Sequence, residues 1–418
     1  MTAISGDDRN YFTYDQYGSN PMQPVGPIGI VPLTGSLDFS RLVNDQLQIR
    51  RQQYLELNPE IVRVHPGFLR EDYRIPVDTI RFSSGEGKAA FSQTVRGHDL
   101  FILVDVMNFS CTFRMFGMDV NMGPDDHYQD LKRVILAASG KSRRINVIMP
   151  YLYESRQDLR STRESLDCSA MLHELESLGV NNIITFDAHD TRVSNAVPLS
   201  GFEDMKPAYQ MLKAMLNNVE DLGIFDNRLM IVSPDESGIS RAMYYASMLG
   251  VPLGTFYRKI DYDQKVEGSN PVIAFEYLGD SVEGKNILLV DDMIVTGDSV
   301  LDIACELHKL KAERIFVVST YGLFTEGLER FHRAYAEHMI DRVFSTNLIY
   351  RRPELLNAPW FVDVDMSKYV ALIIDALNHD ASLSVLMDPT EKIRLLLERE
   401  ANLRQFFHDD KSARTSSP

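Results

Sequence analysis

Asn286-Ile-Leu-Leu-Val-Asp-Asp-Met-Ile-Val-Thr-Gly-Asp-Ser299 joins a buried strand to a phosphate cradle, with two carboxylates at the junction. The apolar run Ile287–Val290 has the character of a parallel strand covered on both faces, and from Val300 the pattern turns amphipathic and helical. The loop between them is therefore predicted at the carboxyl edge of a sheet, where open α/β folds bind ligands. Thr296, Gly297 and Ser299 supply hydroxyls and close backbone approach at a helix N-terminus, whose free N–H groups and positive dipole end favour a phosphate dianion. Asp291 and Asp292 cannot hold that phosphate. They suit ribose hydroxyls, which donate hydrogen bonds, or a hydrated Mg²⁺, which takes oxygen ligands. An acid pair standing alone reads as a solvated turn with a helix cap. The order strand, acid pair, apolar pair, Thr-Gly-x-Ser, helix is more demanding and points to a sugar phosphate.

Around this segment lies a chain of 418 residues, long enough for two domains of ordinary size, with enough hydrophobic residues (44%) to fill their cores. Its 43 basic and 59 acidic side chains give a formal charge of −16, which argues against non-specific binding to nucleic acid or to an anionic membrane. No apolar run approaches the roughly 20 residues that span a bilayer, and the first residues carry no basic and apolar leader. Cys111, Cys168 and Cys305 are few, odd in number and far apart, which suits a reducing cytoplasm and offers no cysteine-based zinc site.

From Ile80 onward, apolar runs alternate with helical patterns. The runs are Leu100–Val104, Ile145–Met149, Asn182–Phe186, Leu229–Val232, Ile287–Val290, Ile315–Ser319 and Arg342–Phe344, and the helices include His127–Ala138, Arg163–Leu178 and Ser299–Leu310. Repeated βα units of this kind predict parallel sheets flanked by helices. Residues 1–75 read as an N-terminal extension with a helix near Asp38–Glu56, 76–215 as a first α/β domain, 216–385 as a second, and 386–418 as a C-terminal helix with a disordered tail.

Further motifs fall at other strand ends. Ser233-Pro-Asp235-Glu-Ser-Gly238 follows Leu229–Val232 and opens a helix, making a second anion-accepting loop, with Arg241 on its first turns. Taken alone it is as readily a helix cap. Arg156-Gln157-Asp158 lies beyond the strand ending at Pro150, where arginine can fork phosphate oxygens and glutamine can donate to a nucleotide. Asp187-Ala-His189-Asp190 sets an imidazole and carboxylates at the next strand end. Phe82-Ser-Ser-Gly-Glu86 pairs an aromatic face with a carboxylate suited to a purine and its amino group, or else is a β-turn over a core Phe.

Taken together, Phe82-x-x-Gly-Glu86, Arg96-Gly-x-Asp99, Arg156-Gln-Asp158, Ile184-Thr-x-Asp-x-His189, Val232-Ser-Pro-Asp-x-x-Gly238 and Val290-Asp-Asp-Met-x-x-Thr296 resemble the ordered motifs of the ribose-phosphate pyrophosphokinases. The resemblance spans roughly residues 80 to 350. It implies two tandem type I phosphoribosyltransferase-like domains, a homo-oligomer, and an ATP site at a subunit interface. The implied reaction moves the diphosphate of ATP to the anomeric hydroxyl of ribose 5-phosphate with Mg²⁺ as cofactor. By the same resemblance, Phe82 and Glu86 hold adenine, and Arg156, Gln157 and Asp158 serve ATP. His189 and Asp235 position Mg²⁺. Asp291, Asp292, Thr296, Gly297 and Ser299 seat ribose 5-phosphate, and Ser233, Asp235, Gly238 and Arg241 form the diphosphate loop.

The family's catalytic Lys-x-Arg falls on Arg258-Lys259-Ile260, so Arg258 and Lys259 are the cations at hand and the family arginine is an isoleucine. Valine stands at 295 for a third acid, Asp298 for a glycine, Ser237 for the first glycine of the diphosphate loop and Ser169 for a lysine. Besides an active pyrophosphokinase, a non-catalytic binding or regulatory homologue and a phosphoribosyltransferase acting on a base remain open readings.

Overall fold

The computed structural model describes residues 23–160, 163–260 and 272–415. The chain opens with β1 (Ile28–Pro32), α1 (Leu37–Leu57) and a single turn, α2 (Ile61–Val64). The hairpin β2 (Val77–Arg81) and β3 (Gly87–Phe91) precedes β4 (Asp99–Leu103), and a second hairpin, β5 (Thr112–Met115) and β6 (Met118–Asn121), leads to α3 (Pro124–Ala138). Then come β7 (Arg144–Ile148), α4 (Asp167–Ser177), β8 (Asn182–Phe186), β9 (Gly201–Met205) and α5 (Ala208–Asn218). The second half runs through β10 (Leu229–Ser233), α6 (Ile239–Leu249), β11 (Leu253–Ile260), β12 (Val272–Leu278), β13 (Asn286–Ile294) and α7 (Asp298–Lys309). β14 (Arg314–Gly322), α8 (Glu329–Ala336), β15 (Arg342–Thr346), α9 (Pro353–Leu356), β16 (Phe361–Val364), α10 (Ser367–Asn378), α11 (Ser384–Met387) and α12 (Thr390–Thr415) complete it.

These elements form two compact units, each built on its own sheet, as alternating strands and helices predict. The first unit holds residues 1–206, 347–350 and 365–387. Its sheet is wholly parallel in the order β1-β4-β7-β8-β9, and every residue of β1 and β4 is buried, as strands covered on both faces are. The second unit holds residues 207–346, 351–364 and 388–418, around the sheet β12-β11-β10-β13-β14-β15-β16, parallel except for the β11–β12 pair. Its core is aromatic at one end, where Phe331 stacks on Trp360 and meets Phe324 edge-on at 4.9 Å.

The division corrects the expected domain limits. The change of unit falls at Lys206 and Pro207 rather than near 215, so α5 belongs to the second unit. Residues 28–75 are not an appendage: β1 is an edge strand of the first sheet, and α1 packs on α10. Local pattern could not show this, because the bonds are long-range. Arg51 Nε lies 2.9 Å from Asp375 Oδ1 and Arg51 Nη2 donates to Asn378 Oδ1 at 2.8 Å, all three side chains being buried. Asn378 Nδ2 in turn donates to Asp99 Oδ2, which also accepts from Arg144. Of the expected tail, α12 extends to Thr415 and Ser416–Pro418 lie outside the described residues.

Candidate functional site

In the second unit the strand order reverses between β10 and β13: the chain adds β11 and β12 on one side, then β13 and its successors on the other. β10 and β13 are direct neighbours, with Val232 beside Leu289, so their carboxyl ends and the loops that follow form the crevice of a topological switch point. The two anion-accepting loops of the sequence are brought together there. Gly297 takes φ +87°, a conformation that disfavours any side chain, and a Cβ at this position would meet the Phe331 ring at 2.3 Å. The chain can thus turn from β13 into α7 only with glycine here.

Asp291 and Asp292 sit inside β13 rather than in the loop after it. The strand continues to Ile294 because Met293 and Ile294 still pair with Tyr321 and Gly322 of β14. Asp292 is buried and Asp291 half-buried. Burial first, and the neighbouring Asp292 second, push the Asp291 carboxyl well above the usual carboxylate range, while Arg241 works against them. A crowded acid pair of this kind is relieved by ligands that donate hydrogen bonds or by a hard cation. Arg241, expected to face phosphate, lies with Nη2 3.8 Å from Asp292 Oδ2 and so helps hold the acid pair.

The loop after β10 is closed on itself. Ser233 Oγ donates to Asp235 O at 2.7 Å, and a Cβ at Gly238 would meet that same hydroxyl at 2.7 Å. Asp235 Oδ1 accepts from Ser237 N, Ser237 Oγ and Gly238 N, at 3.0, 2.5 and 3.2 Å. Thr296 Oγ1 donates to Asp298 Oδ2 at 2.7 Å, and Ser299 is half-buried on the first turn of α7. Arg258 and Lys259 lie on β11, with backbone opposite Phe275 and Ala274; their side chains, and residues 261–271, fall outside those described.

The first unit carries the remaining residues. The loops after β7 and β8 stand side by side, since those strands pair, and Thr185 Oγ1 donates to Pro150 O at 2.9 Å. Arg156 and Gln157 are exposed and Asp158 half-buried, in a loop anchored by the buried Tyr151, Leu152 and Ser155. Tyr153 pins it further: its ring stacks on Tyr128 of α3 at 4.5 Å, and its hydroxyl donates to Asp125 Oδ1 at 2.7 Å. No local pattern signals this clamp, because Tyr128 and Tyr153 meet only through the packing of α3 on the loop.

His189 is exposed beyond β8, next to a turn in which Asp187 takes φ +48° and accepts an ion pair from Lys206 Nζ at 3.5 Å. The two proposed metal ligands, His189 and Asp235, thus belong to different units. Phe82 and Glu86 lie at the tip of the β2–β3 hairpin, both exposed, with Phe82 N donating to Glu86 O at 2.8 Å. Arg81, the last residue of β2 before this turn, is tied to Asp130 of α3 at 3.0 Å. The Phe82 ring is 48% exposed, with Lys88 Nζ over it at 6.0 Å, and is not a core side chain.

Residues 69–179 match the model of the N-terminal domain of ribose phosphate pyrophosphokinase, and residues 201–348 match that of the phosphoribosyl transferase domain. The chain belongs to the ribose-phosphate pyrophosphokinase family. Among its relatives in this family, the ribose-phosphate pyrophosphokinase of Mycoplasma pneumoniae is 28% identical over 73% of this chain and 85% of its own length. A putative ribose-phosphate pyrophosphokinase 2 of Streptococcus pneumoniae is 29% identical over 59% of this chain and 70% of its own. The crystal structure of phosphoribosylpyrophosphate synthetase from Mycobacterium smegmatis superposes with a TM-score of 0.64 at 19% identity, over 85% of this chain and 99% of that one, which shows the shared fold. The pyrophosphokinase family thus accounts for both units. Among the described residues no helix is long and apolar enough to cross a membrane.

Proposed function

We propose that the chain is a ribose-phosphate diphosphokinase. The observation that carries this reading is the juxtaposition of the Asp291–Ser299 and Ser233–Gly238 loops at the switch point of the second sheet. The cradle at Thr296, Gly297 and Ser299 takes the 5-phosphate, and the acid pair accepts hydrogen bonds from the ribose hydroxyls. Asp235, Gly238 and their loop take the diphosphate. Phe82 and Glu86 take adenine, and Arg156, Gln157 and Asp158 take the ATP phosphates. In the reaction the anomeric oxygen forms a bond to the β-phosphorus of ATP, the bond from that phosphorus to the α,β-bridging oxygen breaks, and the anomeric hydroxyl loses its proton. Phosphoribosyl diphosphate and AMP result. Such a transfer depends on in-line positioning and charge neutralisation, the roles assigned to the two loops and to Arg258 and Lys259.

Mg²⁺ fits the oxygen donors at hand, since this ion is held by one or two carboxylates together with substrate phosphates. Asp235 in the second unit and His189 in the first are the residues assigned to it, and when bound it would neutralise charge on the polyphosphate. We assign a homo-oligomer with the ATP site at a subunit interface, on the exposure of Phe82 and Glu86 at a hairpin tip. We assign the protein to the cytoplasm. There its cysteines stay reduced, with burial pushing the thiol of Cys111 up to about 11 and that of Cys168 up to about 12.

Incubation of the purified protein with ATP, Mg²⁺ and ribose 5-phosphate is expected to release AMP only when all three are present. Background AMP under varied phosphate and metal overturns the activity. Retained ATP binding would then favour the non-catalytic homologue, a reading supported by Ile260 standing in the place of the family arginine.

A further inference from the structure

The cradle that receives the phosphate carries a carboxylate of its own. Asp298 is the first residue of α7, and its Oδ2 accepts from the Thr296 hydroxyl at 2.7 Å while its backbone N donates back to that hydroxyl at 3.3 Å. A negative charge at this place is welcome to the helix dipole, but it repels a phosphate dianion seeking the same N–H groups. The other carboxylate oxygen, Oδ1, is met by Nη1 of Arg330 on α8.

α8 is not free to move away from the cradle. Phe331, the next residue, lies under Gly297 and stacks on Trp360 in the core, so the backbone that bears Arg330 is fixed at the cradle mouth. Asp298 and Arg330 themselves are exposed, 55% and 47%, and an exposed pair of this kind adds little to stability. Its place beside the phosphate loop is its consequence.

We propose that Arg330 is a positioning residue for the phosphate end of the sugar substrate. It cancels the charge of Asp298, draws that carboxylate toward α8, and so leaves the N-terminus of α7 able to accept a phosphate dianion. The proposal rests on the reading of Asp291–Ser299 as a sugar-phosphate site.

Calorimetric titration of the full chain with ribose 5-phosphate, and separately with inorganic phosphate, tests it. Arg330→Ala is expected to weaken both ligands by about tenfold, more at low salt, because one uncompensated charge then faces the dianion. Asp298→Gly combined with Arg330→Ala is expected to return affinity to within about threefold of the parent, as removal of the repelling group makes its neutraliser redundant. Arg330→Gln, which keeps the stem, is expected to behave as Arg330→Ala. Unchanged affinity in Arg330→Ala, or a double variant as weak as the single one, overturns the proposal alone. If the parent protein binds neither ligand, the sugar-phosphate reading falls and the proposal with it.

Discussion

Arg241 on α6 reaches across to Asp292 on β13, Nη2 to Oδ2 at 3.8 Å, with both side chains largely withdrawn from solvent. Its guanidinium restrains a pair of adjacent carboxylates. Asp291 and Asp292 can therefore remain together in a strand interior, where two unscreened acids would otherwise force a local break.

Asp291 makes the site sensitive to pH in a definite direction. Its folded carboxyl is held above the value of 3.8 that an unperturbed group shows, so its contribution to stability is full below that value and is lost as pH rises through the folded pKa. Asp291→Asn removes that loss. In urea titrations the variant should gain on the parent protein as pH rises above the unfolded value of 3.8. A difference between the two that does not change with pH would contradict the raised carboxyl.

The acid pair should matter to one substrate and not to the other. Asp291→Ala with Asp292→Ala is expected to weaken ribose 5-phosphate by about tenfold to a hundredfold, the worth of hydrogen bonds to charged acceptors, and to leave ATP affinity unchanged. Equal loss of both ligands in a variant with parental circular dichroism would dissociate the pair from ribose.

Gly297→Ala should damage both stability and binding. The left-handed backbone resists a side chain, and the new methyl runs into the Phe331 ring, for an expected cost of about 1–3 kcal/mol in urea unfolding. Phosphate affinity should fall with it, since α7 can keep its place only if Phe331 yields.

The buried ion pairs of α1 and α10 make a prediction far from any ligand. Asp375 faces Arg50 at 3.2 Å and Arg51 at 2.9 Å, and Arg51 also lies 4.1 Å over the Phe68 ring. Asp375→Asn leaves two buried guanidiniums without their anion and is expected to cost about 3–5 kcal/mol. Thermal unfolding at neutral pH would show it, and a variant as stable as the parent would mean that the charges are compensated elsewhere.

The strands and the two loops of the candidate site are legible because each is written in a short window: Leu229–Val232 and Ile287–Val290 are apolar runs, with Ser233–Gly238 and Thr296–Ser299 close behind them. What was not legible depends on distance along the chain. Arg50 bonds a carboxylate 325 residues away, so nothing near α1 announces that it belongs to a domain core. β1 is likewise readable as apolar, but its pairing with β4 is set by the tertiary fold. Asp298 stood out as a charge where the family has glycine, whereas Arg330 had no local sign at all. Only the approach of Phe331 to Gly297 explains why that arginine arrives at the loop.

The return of residues 365–387 to the first unit has a bearing on how the chain is made. By the time the ribosome has delivered Val364, all seven strands of the second sheet have been synthesised, yet the first unit still lacks α10. The half that is translated first is thus completed only after the second sheet has been synthesised. A release fragment ending at Lys206 keeps Arg50 and Arg51 but not Asp375, so truncation at the apparent boundary should yield an aggregating product rather than a folded domain.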